Sequence, residues 1–153
     1  TVATSAGAWG MAGGQAIDLE SVGKQLNLSQ LQAMHELKTG ALIQASIKLG
    51  ALTSAQIQDE TIEKLDQFAL CIGLAFQVHD DVLDVISDTD TLGKAQGADI
   101  ALNKPTYPSL LGLEAARQKA IDLIDKAVAI LDDLPYDTRA LSTLAQFVVQ
   151  RTH

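Results

Sequence analysis

Apolar positions along this chain recur at steps of three and four residues, and strand-type alternation is absent. The clearest stripe is Ile62, Leu65, Ala69, Ile72, Phe76, His79 and Leu83. It predicts a long helix over about 54–87 with bundle-type packing. A second stripe, Leu31, His35, Lys38, Leu42, Ala45 and Leu49, predicts a helix reaching about Leu49 and stopping at Gly50. Ser29 and Gln32 have capping-box spacing at its start, and Thr53 and Gln56 repeat that signal ahead of the longer helix. Residues 1–16 are small and apolar, with glycines at 7, 10, 13 and 14. They predict a closely packed helix end that unwinds at Gly13-Gly14, followed by a polar loop from Glu20 to Asn27. Residues 88–106 read mostly as loop, and two more helices, about 107–133 and 138–150, part at Pro135. Ala, Leu, Gln, Glu and Lys dominate the long segments, so the expected class is all-α: a helical bundle, or a large piece of one.

A length of 153 residues suits one domain with a real core, and no repeat or linker divides it. The apolar fraction of 47% excludes a disordered chain. Eleven basic against nineteen acidic residues leave a net charge of −8, which excludes nucleic acid as a partner held by general electrostatics. The lone Cys71 forms no intrachain disulfide and fits a reducing compartment. No apolar run approaches the ~20 residues of a membrane span, and no leader pattern opens the chain. A cytoplasmic protein is expected. The opening Thr1-Val2-Ala3-Thr4 has no helix-start signature, so the chain is also expected to be part of a longer one.

The chemistry concentrates in Phe76-Gln77-Val78-His79-Asp80-Asp81-Val82-Leu83-Asp84. Asp80 and Asp84 are four apart and share a helical face, Gln77 joins the patch, and Gly73 leaves space beside it. Like charges so placed cost a bare helix a few tenths of a kcal/mol unless a cation relieves them. Mg²⁺ takes carboxylate oxygens, keeps several waters and accepts substrate phosphates as further ligands. The bland alternative is a solvated acidic face, against which stand the Phe76-Gln77 prefix and three lysines. Lys38 lies on an otherwise mostly apolar stripe, where a lysine either snorkels out or meets an anion; Thr39 adds a hydroxyl beside it. Lys94 follows Gly93 in an acidic stretch, and Lys104 precedes Pro105. Asp80, Asp81, Asp84, Gln77, Thr39 and these lysines together make a metal–diphosphate receptor. Such a site stabilises a departing diphosphate electrostatically and needs no protein nucleophile.

The ordered set Gly10-Met11-Ala12-Gly13-Gly14-Gln15-Ala16-Ile17-Asp18-Leu19, Lys38-Thr39-Gly40-Ala41-Leu42, Gly73 to Asp84, Thr91-Leu92-Gly93-Lys94, Gly97-Ala98-Asp99 and Asn103-Lys104-Pro105-Thr106-Tyr107-Pro108 resembles the trans-isoprenyl diphosphate synthase family. The match is to the C-terminal half of its bacterial farnesyl-forming type and covers essentially the whole chain. The resemblance implies the isoprenoid-synthase helical fold, with residues 1–153 as the C-terminal portion of one domain. It implies a Mg²⁺-dependent prenyltransferase: an allylic diphosphate ionises, isopentenyl diphosphate attacks the cation, and a proton is lost. By motif, Asp80 is the implied metal ligand, with Asp81 and Asp84 in direct or water-mediated support. Lys38, Thr39, Gln77, Lys94 and Lys104 are the implied allylic-diphosphate contacts, with Lys38, Asp80 and Lys94 carrying the catalysis.

One departure is plain. The family uses two aspartate-rich motifs, and only the second is here; Asp88, Asp90, Asp132 and Asp133 do not supply the first. The chain is therefore expected to be inactive alone and to need an N-terminal half as partner, with a homodimer as the family's usual assembly. Farnesyl is the preferred product, with geranylgeranyl open. Two other readings are a non-catalytic helical subunit that modulates a partner synthase, and a terpene cyclase relative. His79, Cys71, Trp9 and Met11 read as packing residues, Asp132-Asp133 as a solvated helix end, and Asp18 as a weak site candidate.

Overall fold

The computed structural model describes residues 2–90 and 105–151, with the side chains of 87–90 set aside. Helices α1 (Val2–Ala6) and α2 (Met11–Glu20) lead into α3 (Leu28–His35). A π-helical turn, Glu36–Gly40, joins α3 directly to α4 (Ala41–Ala51). The long α5 (Asp59–Asp90) follows, then α6 (Tyr107–Leu111), α7 (Leu113–Asp132) and α8 (Arg139–Gln150). The described residues form helices joined by turns and irregular segments, with no strand, as the patterning predicts.

Helix α5 is the axis of the molecule. One core packs its Leu65, Phe68 and Ile72 against Ile124, Ala127 and Leu131 of α7 and Ala145 and Val148 of α8. A second packs its Leu74, Val78 and Val82 against Leu31 and Met34 of α3, Tyr107, and Ala116 and Ala120 of α7. The alanines along α7 let the two helices approach closely, and each large apolar side chain buried this way contributes about 1.5–3 kcal/mol. Because α5 serves both cores, its buried arc is wider than the single stripe read from sequence. Phe68, Ala75 and Val78 are fully enclosed and Leu74 is buried, while Phe76 and His79 on the expected stripe are half-buried.

Several boundaries differ from the sequence expectations for local reasons. The early helix breaks between Gly7 and Gly10, and α2 runs unbroken through Gly13 and Gly14. Those two glycines serve contact instead: a Cβ on Gly13 would sit 2.0 Å from the Ala8 carbonyl oxygen. Helix α3 is capped two residues earlier than expected, by a reciprocal box in which Asn27 Oδ1 accepts from Gln30 N and Gln30 Oε1 accepts from Asn27 N, both at 3.0 Å. Thr53 does not cap α5; its hydroxyl donates back to the Gly50 carbonyl at 2.7 Å, and α5 starts at Asp59. Gly112, at φ +85°, divides the expected 107–133 helix into α6 and α7. Trp9 is not a packing residue: it is 86% exposed, and Met11 is also exposed. Of the expected loop over 88–106, α5 claims the start up to Asp90, and most of the remainder lies outside the described residues.

Candidate metal–diphosphate site

Two glycine contacts assemble the site. A Cβ on Gly14 would lie 2.2 Å from the Lys38 backbone nitrogen, so α2 touches the π-helical turn backbone to backbone. On its other side the turn meets α5, where a Cβ on Gly73 would lie 3.1 Å from Gly40 Cα. Gly73, Gln77, Asp80 and Asp84 then follow one another along a single stripe of α5. Asp80 is thus about 10 Å along the helix axis from the crossing that holds Lys38 and Thr39. The π turn is itself the break in what sequence reads as one helix. It shifts the register of α4, which leaves Leu49, on the predicted core stripe, 42% exposed.

Lys38 meets an anion rather than snorkelling. Its Nζ lies 2.7 Å from Oδ2 of Asp18, a buried carboxylate on α2. Asp18, a weak candidate in sequence, is therefore the counter-ion of Lys38. Thr39 is half-buried in the same turn.

On the α5 stripe, Asp80 pairs with the guanidinium of Arg151, the residue after α8. The Gln77 amide reaches the other Asp80 oxygen at 3.5 Å. Arg151 also stacks on Phe76, its Cζ 4.1 Å from the ring centroid, and donates to the carbonyls of Val148 and Phe76 at 3.3 and 3.4 Å. His79 Nε2 lies 3.0 Å from the Arg151 carbonyl oxygen, which can only accept, so this nitrogen carries the ring proton. His79 is thus a tether for the residue that follows α8, in keeping with its reading as a non-ligand. Arg151 was missed in sequence, although it carries the signal that singled out Lys38. It is a base in register with the apolar Leu144 and Val148, four and three residues apart.

Asp81 faces away from Asp80. It is buried, and its Oδ2 accepts from the backbone N–H of Tyr107 at 2.8 Å. It ties α5 to the start of α6, which a Thr106–Ser109 capping box also secures. Tyr107 is enclosed beside His35, with ring centroids 5.6 Å apart, and its hydroxyl has no hydrogen-bond partner among the described residues. Burial, and then the charges of Asp81 and Glu36, push its ionisation well above the ordinary tyrosine range. Cys71 is buried, and that burial raises its thiol, consistent with core filler. Lys94 and Lys104 lie outside the described residues.

Among the described residues no three His, Cys, Asp or Glu side chains converge closely enough to hold a metal by themselves. The donor chemistry nonetheless suits a hard divalent ion. Asp80 and Asp84 share one face, Mg²⁺ commonly needs only one or two protein carboxylates, and Asp80 already attracts a cationic group, Arg151. No helix among the described residues is long and apolar enough to cross a membrane.

Comparison with known proteins identifies what the chain as a whole is similar to. Residues 3–137 match the family model described as polyprenyl synthetase. The chain is 52% identical over 153 residues to the farnesyl diphosphate synthase of Escherichia coli K12, covering 98% of this chain and 51% of that protein. It is 40% identical over 154 residues to the chloroplastic geranylgeranyl pyrophosphate synthase of Capsicum annuum, covering 98% of this chain and 41% of that one. Among solved structures, the geranyltransferase of Helicobacter pylori complexed with magnesium and isoprenyl diphosphate superposes with a TM-score of 0.77 at 34% identity, over 96% of this chain and 48% of that one. The chain spans about half the length of these relatives.

Proposed function

The chain belongs to the polyprenyl synthetase family, and from that premise we propose that it supplies the C-terminal half of the active site of a short-chain, farnesyl-forming prenyl diphosphate synthase. The observation that supports this reading most is the crossing at Gly14, Lys38, Gly40 and Gly73. It places a lysine–hydroxyl pair at the head of the stripe that bears Gln77, Asp80 and Asp84.

In this reading Asp80 and Asp84 hold Mg²⁺, which when bound supplies positive charge against an allylic diphosphate. Lys38 and Thr39 bind that diphosphate from the π turn, with Lys38 exchanging its Asp18 partner for a phosphate oxygen. Gln77 orients Asp80 through its amide. Lys94 and Lys104 add ammonium charge to the leaving group. Asp81 acts from behind, fixing the Tyr107 backbone and hence the entry to α6. The half-buried Phe76 helps exclude water from the reacting carbon. Isopentenyl diphosphate and the first aspartate-rich motif belong to an N-terminal half, with the whole enzyme a homodimer.

The test is incorporation of labelled isopentenyl diphosphate into an allylic acceptor. The chain is assayed alone and together with the N-terminal half of the Escherichia coli relative. Expected is product only in the mixture, and none with Asp80→Asn. Turnover by the chain alone, or turnover indifferent to Asp80→Asn, contradicts the proposal.

A further inference from the structure

The carboxylate assigned to the metal is held by a cation from this same chain. Arg151 reaches Asp80 Oδ1, and the Gln77 amide faces Oδ2 at 3.5 Å, so both oxygens of Asp80 are engaged. The arginine is built into place. Its side chain is only 15% exposed, against 40% for Asp80, and it is stacked on Phe76 and bonded to the Val148 and Phe76 carbonyls. Its own carbonyl is held by His79. An arginine that merely decorated a surface would not need this many anchors.

We propose that Arg151 is an intramolecular competitor for the metal: it neutralises Asp80 in the resting site and is displaced when a divalent ion binds. The proposal rests on the assignment of Asp80 as a ligand. Its physical basis is direct. A guanidinium and a divalent ion cannot both contact one carboxylate oxygen without strong mutual repulsion, so the two bind with negative coupling. The anchors on Phe76, Val148 and His79 do not involve Asp80. Arg151 can therefore release the carboxylate without leaving the site, and metal loading becomes linked to the order of the end of α8. Arg151 is a positioning residue in this account, acting through Asp80.

The test is a Mn²⁺ titration in the presence of inorganic diphosphate, with free Mn²⁺ followed by electron paramagnetic resonance. It uses the wild-type chain, Arg151→Gln and Asp80→Asn. Expected is Mn²⁺ binding about tenfold tighter in Arg151→Gln than in the wild type, within the usual span of such couplings. Equal or weaker binding in a folded Arg151→Gln overturns the competitor role. Binding unchanged in Asp80→Asn instead overturns the metal assignment, and no binding in wild type or Arg151→Gln overturns both. Should Arg151→Gln lose its helical circular dichroism, the wild type alone decides. The Asp80 contact is made by the Arg151 Nη2 group, so the guanidinium Nη–H resonances should shift and exchange faster when Mg²⁺ and diphosphate are added, and unmoved Nη–H resonances sink the proposal.

Discussion

At the residue scale the molecule is organised by charge pairs that span elements. Lys38 is held by Asp18 and Asp80 by Arg151, so a base of one element meets an acid of another in each case. Asp18→Asn leaves a half-buried lysine without its counter-charge. A loss of about 1–2 kcal/mol in urea unfolding is expected, because the pair is partly shielded from solvent. Tyr107 gives a pH signature. Its raised ionisation in the fold means that the unfolded chain loses the phenolic proton first. The stability tied to it is therefore complete below the ordinary tyrosine value of about 10 and declines as pH rises beyond it. Tyr107→Phe should flatten that decline in urea midpoints measured from pH 7 to 10.5. At pH 7 it should be neutral or stabilising by up to ~1 kcal/mol, since it removes a buried hydroxyl that has no partner among the described residues.

At the scale of elements, close backbone contact fixes the site more than any side chain does. Gly14→Ala places a methyl against the Lys38 backbone and must push α2 off the π turn. A loss of roughly 2–3 kcal/mol is expected by chemical denaturation. Gly50→Ala is the control. A Cβ there meets nothing within 4 Å, the position is helical, and the change should stabilise by about 0.5–1 kcal/mol. This contrast also marks what the sequence could show. Periodicity was sufficient to find α5, α7 and α8, because each buries a regular stripe. It could not distinguish the glycines that break a helix, Gly7 to Gly10, from the one that lets α2 touch the π turn, Gly14. That difference lies in a partner element remote in sequence. The π turn was invisible for a similar reason, since no residue type encodes one extra residue in a turn. Asp80 and Asp84 were legible as one face from their spacing alone. The inward turn of Asp81 toward Tyr107, 26 residues on, was not, and neither was the Arg151 pair across 71 residues.

At the scale of the whole molecule, the described residues form two cores around α5 with an exposed apolar fringe. Trp9, Leu19 and Leu52 are 86, 63 and 51% exposed, in a chain about half the length of its relatives. The proposed N-terminal half would both complete the chemistry and adjoin this half. The central claim, however, concerns the chain itself: that it is a receptor for diphosphate and a divalent ion. Calorimetric titration of inorganic diphosphate into the 153-residue chain, with and without Mg²⁺, tests it most directly. The account predicts binding that requires Mg²⁺, is abolished by Asp80→Asn and is weakened about tenfold or more by Lys38→Ala, which removes a charge-assisted contact. Binding that ignores Mg²⁺, or that survives Asp80→Asn unchanged, would contradict it.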